Sequence, residues 1–93
     1  MIIGVLQIEI GIPDAFSLKD KRRSVRSIKD RIGRNHNVSV AEVGALEEHR
    51  RAVLGVAMVS NDKGYVEGAL AKLVDLVRQT PTVELLDYQT DFL

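Results

Sequence analysis

The sequence predicts one α+β domain with the element order βαββαβ, a four-stranded antiparallel sheet carrying two helices on one face. Three observations predict it: four segments with strand patterning, two segments with apolar residues at helical spacing, and the absence of any linker, repeat or low-complexity tract. The 93 residues suffice for a single domain over residues 1–93 and leave little depth for an elaborate cleft.

Residues 2–12 alternate, with Ile2, Gly4, Leu6, Ile8 and Ile10 on one side and Ile3, Val5, Gln7 and Glu9 on the other, the period of a strand with one strongly buried face. Gly11 to Phe16 breaks the pattern. Ser17 followed by Asp20 forms a variant capping box, Asp standing where Glu is usual, and opens a helix. Leu18, Val25, Ile28 and Ile32 fall in one narrow sector of that helix, and Gly33 with Asn35 ends it. Lys21 projects into the same sector and is expected to snorkel, its stem packed and its ammonium in water. Val38–Val43 reads as a second strand and Ala52–Val59 as a third, whose near-continuous apolarity suits a central position, with a polar turn at Glu47–Arg50 between them. Ser60, Asn61 and Asp62 offer N-caps for a second helix with Val66, Ala69, Leu70, Leu73, Val74 and Val77 at helical spacing, ending before Pro81. Val83–Phe92 is the last strand. One sheet with both helices on one face is the ferredoxin-like, split-βαβ arrangement.

That arrangement leaves the other sheet face bare. It takes apolar side chains from the third strand, either Val53, Ala57 and Val59 or Leu54, Val56 and Met58, together with Ile3 and Val5. A homodimer through this open face or through the edge strand Val38–Val43 is therefore expected, unless Gln7 and Glu9 break the patch.

Composition closes several readings. Apolar residues at 45% and charged residues at 28% belong to a folded globule, and no apolar run is long enough to cross a bilayer, so no membrane partner is expected. Met1 runs straight into strand-like residues without a secretion-signal pattern, which predicts a cytoplasmic protein. The absence of cysteine removes disulfides, thiolate metal sites and thiol nucleophiles. His36 and His49, the only imidazoles, lie in no metal-ligand spacing. Glu9 and Glu42 belong to strands expected to be separated by the third, and a strand carboxylate is more at home beside a basic neighbour such as Arg50 or Arg51. No metal, cofactor or catalytic residue is assigned, and the chain does not read as an enzyme.

Charge is where the sequence speaks. The total is zero, thirteen basic against thirteen acidic residues. From Ser17 to His36, however, eight basic residues face two acidic ones, a net +6, whereas from Asn61 to the end three face six, a net −3. On the helix, Lys19, Arg22, Arg23, Arg26, Lys29 and Arg34 occupy adjoining sectors beside and opposite the apolar stripe, and only Arg31 lies clearly elsewhere. A charge run is ordinarily a solvated face. With compensation limited to Asp20 and Asp30, this one also suits phosphate groups, which arginine forks take bidentately. The candidate nucleic-acid-binding residues are Lys19, Lys21, Arg22, Arg23, Arg26 and Lys29.

Relatives of the topology sharpen the mode. RNA-recognition motifs stack bases on aromatic residues of the two central strands, which here contain none, so RNA contact is expected through backbone or shape. Acylphosphatases carry an arginine and a glycine-rich cradle after the first strand, and Gly11–Phe16 has neither. Amino-acid-sensing regulatory domains are echoed only by Pro13-Asp14-Ala15, which is also ordinary turn chemistry.

Three segments together resemble the bacterial YlxP-like family of small uncharacterised proteins, a domain of unknown function: Ser17-Leu18-Lys19-Asp20-Lys21-Arg22-Arg23-Ser24-Val25, Asn37-Val38-Ser39-Val40-Ala41-Glu42-Val43, and Leu54-Gly55-Val56-Ala57-Met58-Val59-Ser60. The resemblance spans nearly the whole chain. It implies a ferredoxin-like domain from a family whose genes tend to sit among those for translation factors and ribosome maturation. The hairpin Gly44–Arg50 departs from the family, where that turn commonly carries an aromatic. The leading expectation is a non-enzymatic accessory protein that contacts RNA or a ribonucleoprotein, such as a ribosomal partner, through its first helix. The alternative is a self-associating or small-ligand-binding regulatory module.

Overall fold

The computed structural model describes residues 1–34 and 37–93; Asn35 of the expected helix stop and His36 lie outside them. The order is β1 (Ile2–Gly11), α1 (Leu18–Arg34), β2 (Val38–Gly44), β3 (Arg51–Ser60), α2 (Lys63–Arg78) and β4 (Glu84–Phe92). All pairings are antiparallel, in the spatial order β2-β3-β1-β4. The two most apolar strands take the centre, where both edges are hydrogen-bonded, and β2 is an edge as the sequence suggested.

Register follows hydrophobic pattern. Gly4, Leu6, Ile8 and Ile10 pair with Met58, Val56, Leu54 and Ala52, and their side chains form the buried face beneath the helices. Helix α1 adds Val25, Ile28 and Ile32 to that core, and α2 adds Val66, Ala69, Leu70, Leu73, Val74 and Val77. Gly4 lets α2 come close: a Cβ there would collide with Cγ1 of Val66. The opposite register parity turns Ile3, Val5, Gln7 and Glu9 with Val53, Gly55, Ala57 and Val59 onto the bare face, which settles the two options for β3.

The helix starts are capped. The Asp20 N–H donates to Ser17 Oγ at 3.1 Å, while Asp20 Oδ2 accepts from the Phe16 N–H at 3.1 Å, so the shorter Asp closes its half of the box one residue further out. Asp62 caps α2, its Oδ1 accepting from the Tyr65 N–H. The β2–β3 turn places Ala45 at φ 56°, a left-handed conformation unusual for a residue with a Cβ.

Candidate nucleic-acid interface

The expected snorkelling of Lys21 is corrected by the structure. Its side chain is 1% exposed, and its Nζ lies 2.8 Å from Glu42 Oε2. It also donates to the carbonyl oxygens of Ala45 at 2.8 Å, Leu46 at 3.2 Å and Arg51 at 3.3 Å. The reason is the hairpin: the left-handed Ala45 and the turn that follows aim backbone carbonyls at the first turn of α1. An ammonium surrounded by one carboxylate and three carbonyls has no need of water. Lys21 thus fastens α1 to the β2–β3 hairpin, and its charge is spent inside the fold.

The other members of the predicted set stand where a partner could reach them. Lys19, Arg22, Arg23 and Arg26 are exposed and Lys29 is half-buried, with exposed Arg34 continuing the face. The ion pairs among the described residues are Lys21–Glu42, Arg51–Glu9, Arg51–Glu48 and Arg78–Asp75, so none of these six cations is paired within them. Arg31, on a different sector, donates to Thr80 Oγ1 at 3.0 Å and ties α1 to the end of α2. The face therefore carries five cations of the predicted six, plus Arg34, along a 17-residue helix about 25 Å long.

The carboxylates divide as well. Glu9 and Glu42 are separated by β3 and lie on opposite faces of the sheet, Glu42 toward α1 and Glu9 on the bare side. Glu9 Oε1 accepts from Arg51 Nε at 2.9 Å, the arginine partner expected for a strand carboxylate; this bond holds its carboxyl below the usual range and raises the Arg51 guanidinium. Among the described residues no group of three or more His, Asp or Glu side chains is placed to hold a metal ion. Among the described residues no helix is long and apolar enough to cross a membrane.

On the bare face, Val5, Ser39, Ala41, Val43, Gly55 and Ala57 line an apolar dish of about 280 Å³. Val43 is the extra residue of a β-bulge, 56% exposed, and Val59 beyond the dish is 51% exposed. The Arg51 network with Glu9 and Glu48 sits at one end of this face, leaving the dish uncharged.

Sequence reasoning missed the pairing of Phe16 with Arg50. Phe16, 73% exposed in the β1–α1 loop, has the Arg50 guanidinium 5.1 Å from its ring centroid. The polar hairpin and the loop were each visible in the sequence, but the Lys21 contacts and the Arg50 hydrogen bonds to Ala15 and Ile12 that bring them together join residues more than twenty positions apart.

A βαββαβ chain folded into one antiparallel sheet under two helices is a ferredoxin-like domain. The solution structure of a de novo designed protein with a ferredoxin fold is similar at a TM-score of 0.54 and 10% identity, covering 99% of this chain and 85% of that one. A crystal structure of a dimeric ferredoxin-like protein from an uncultured marine organism aligns at a TM-score of 0.49 and 13% identity over 100% of this chain and 94% of that one. The chain belongs to the family described as protein of unknown function (DUF503), whose model it matches over residues 3–90. It is 31% identical over 91 residues to the uncharacterized protein YlxP of Bacillus subtilis (strain 168), covering 98% of this chain and 99% of that protein.

Proposed function

We propose that this protein is a non-enzymatic accessory factor that contacts RNA or a ribonucleoprotein through Lys19, Arg22, Arg23, Arg26 and Lys29. The observation that carries the reading is that these cations share one helix face with no ion-pair partner among the described residues. Uncompensated positive charge is costly to keep together, and a polyanion relieves it with release of counterions. Lys21 is left out of the contact set because its ammonium is buried. Electrophoretic shift of ribosomal RNA fragments at two salt concentrations tests the reading. About four phosphate contacts predict a slope near −3 to −4 in log K against log salt; no shift at low salt sinks it.

A second reading rests on the bare sheet face and does not exclude the first. The apolar dish carries no charge, so two copies can bring it together about a two-fold axis without like-charge repulsion. The neighbouring edge strand Val38–Gly44 carries neither the Lys nor the Pro that blunts exposed edges. Sedimentation velocity at tens of micromolar should find a dimer that Val43→Lys dissociates; a monomer throughout that range contradicts it.

A further inference from the structure

We infer that Phe16 and Arg50 form a stacking platform for one unpaired nucleobase of an RNA strand whose phosphates lie on Lys19, Arg22 and Arg23. The inference rests on the polyanion reading above and adds a base to it. Phe16 belongs to no part of the hydrophobic core; its neighbour Ala15, 1% exposed, does the packing of this loop. The ring, 73% exposed, instead stands in solvent beside the Arg50 guanidinium. Both members of the pair are held. The Phe16 N–H is bound to Asp20 Oδ2, Arg50 Nε donates to the Ala15 carbonyl at 3.1 Å, and the Arg50 carbonyl accepts from the Ile12 N–H at 2.9 Å.

The surroundings suit a base. Ala15, Phe16, Glu48, His49, Arg50 and Arg51 line an open hollow of about 430 Å³, within the usual range for small-molecule sites. Its one carboxylate, Glu48, is held by Arg51 Nη1 at 2.9 Å, so it does not stand free against phosphate. Phe16 lies two residues before α1, and Lys19, Arg22 and Arg23 fall in its first two turns, Lys19 to Arg23 spanning about 6 Å of helix axis. Planar guanidinium and aromatic ring are the two surfaces on which unpaired bases stack, largely independent of sequence. The aromatic missing from the central strands is thus supplied from a loop beside the basic helix.

The chain has no tryptophan, so Phe16→Trp creates a single reporter at an exposed position. At low salt, oligoadenylate should quench this emission, while an abasic phosphodiester strand of equal length should bind without quenching. Phe16→Ala should weaken oligoadenylate binding by roughly 5- to 100-fold, the usual worth of a base–aromatic stack, and leave abasic binding unchanged. Binding of both strands with no quenching and no loss in Phe16→Ala overturns the platform and leaves the basic-helix reading standing. Failure of both strands to bind overturns the two together.

Discussion

The Lys21 ammonium lies 2.8 Å from the Glu42 carboxylate at the junction of α1 with the β2–β3 hairpin. Around it stand the carbonyls of Ala45, Leu46 and Arg51, one of them from a residue held at φ 56°. Removing the ammonium strands the carboxylate and three acceptors together. Lys21→Met is expected to cost about 3–5 kcal/mol in urea or thermal unfolding, because a buried charge loses its partner. Adding Glu42→Leu to that variant should recover a large part of the loss. A Lys21→Met protein as stable as the parent would contradict the assigned role.

Gly4 lies under α2, where an added Cβ meets Val66 Cγ1. Gly4→Ala should destabilise the domain by about 1–3 kcal/mol through overpacking, despite the better strand propensity of the replacement. Gly33, whose Cβ would meet nothing within 4 Å, serves as the comparison: Gly33→Ala should raise stability by up to about 1 kcal/mol. Equal melting temperatures for Gly4→Ala and parent would show that α2 does not approach β1 this closely.

Stability should fall in acid partly through Glu9. The Arg51 hydrogen bond depresses its carboxyl in the folded chain, so the native state binds fewer protons than the unfolded state once the pH drops below the ordinary carboxylate value. The contribution is fully present above that value and is lost as pH falls through the folded one. Urea midpoints followed from pH 7 to pH 3 should decline less in Glu9→Gln than in the parent; parallel curves would show that the bond adds nothing, as many exposed pairs do.

The sheet and both helices were legible because their periods are strong: Leu6, Ile8 and Ile10 can share only one face, and Val25, Ile28 and Ile32 only one stripe. Which side of β3 faced the helices was not legible, since both of its faces are apolar and the pairing with β1 decides it. Lys21 was misread for a related reason. Its place in the stripe was visible, but the carbonyls that replace water come from Ala45, Leu46 and Arg51, more than twenty residues away. Two of the three segments behind the family resemblance each contain one partner of that pair, Lys21 in the first and Glu42 in the second. The outward cations followed directly from helical geometry, whereas Phe16 over Arg50 required the hairpin to be docked.

The central claim is that charge on the outer face of α1, not charge in general, draws the protein to RNA. Arg22→Glu/Arg23→Glu should be compared with Lys63→Glu/Lys72→Glu on α2, an equal charge change on the opposite end of the polarised chain. Binding of ribosomal RNA fragments at low salt, with melting temperatures taken alongside, is the direct measurement. The account predicts at least a tenfold loss for the α1 pair and a shallower salt slope, with at most a twofold change for the α2 pair. Equal losses in the two variants, or none in either, would contradict it.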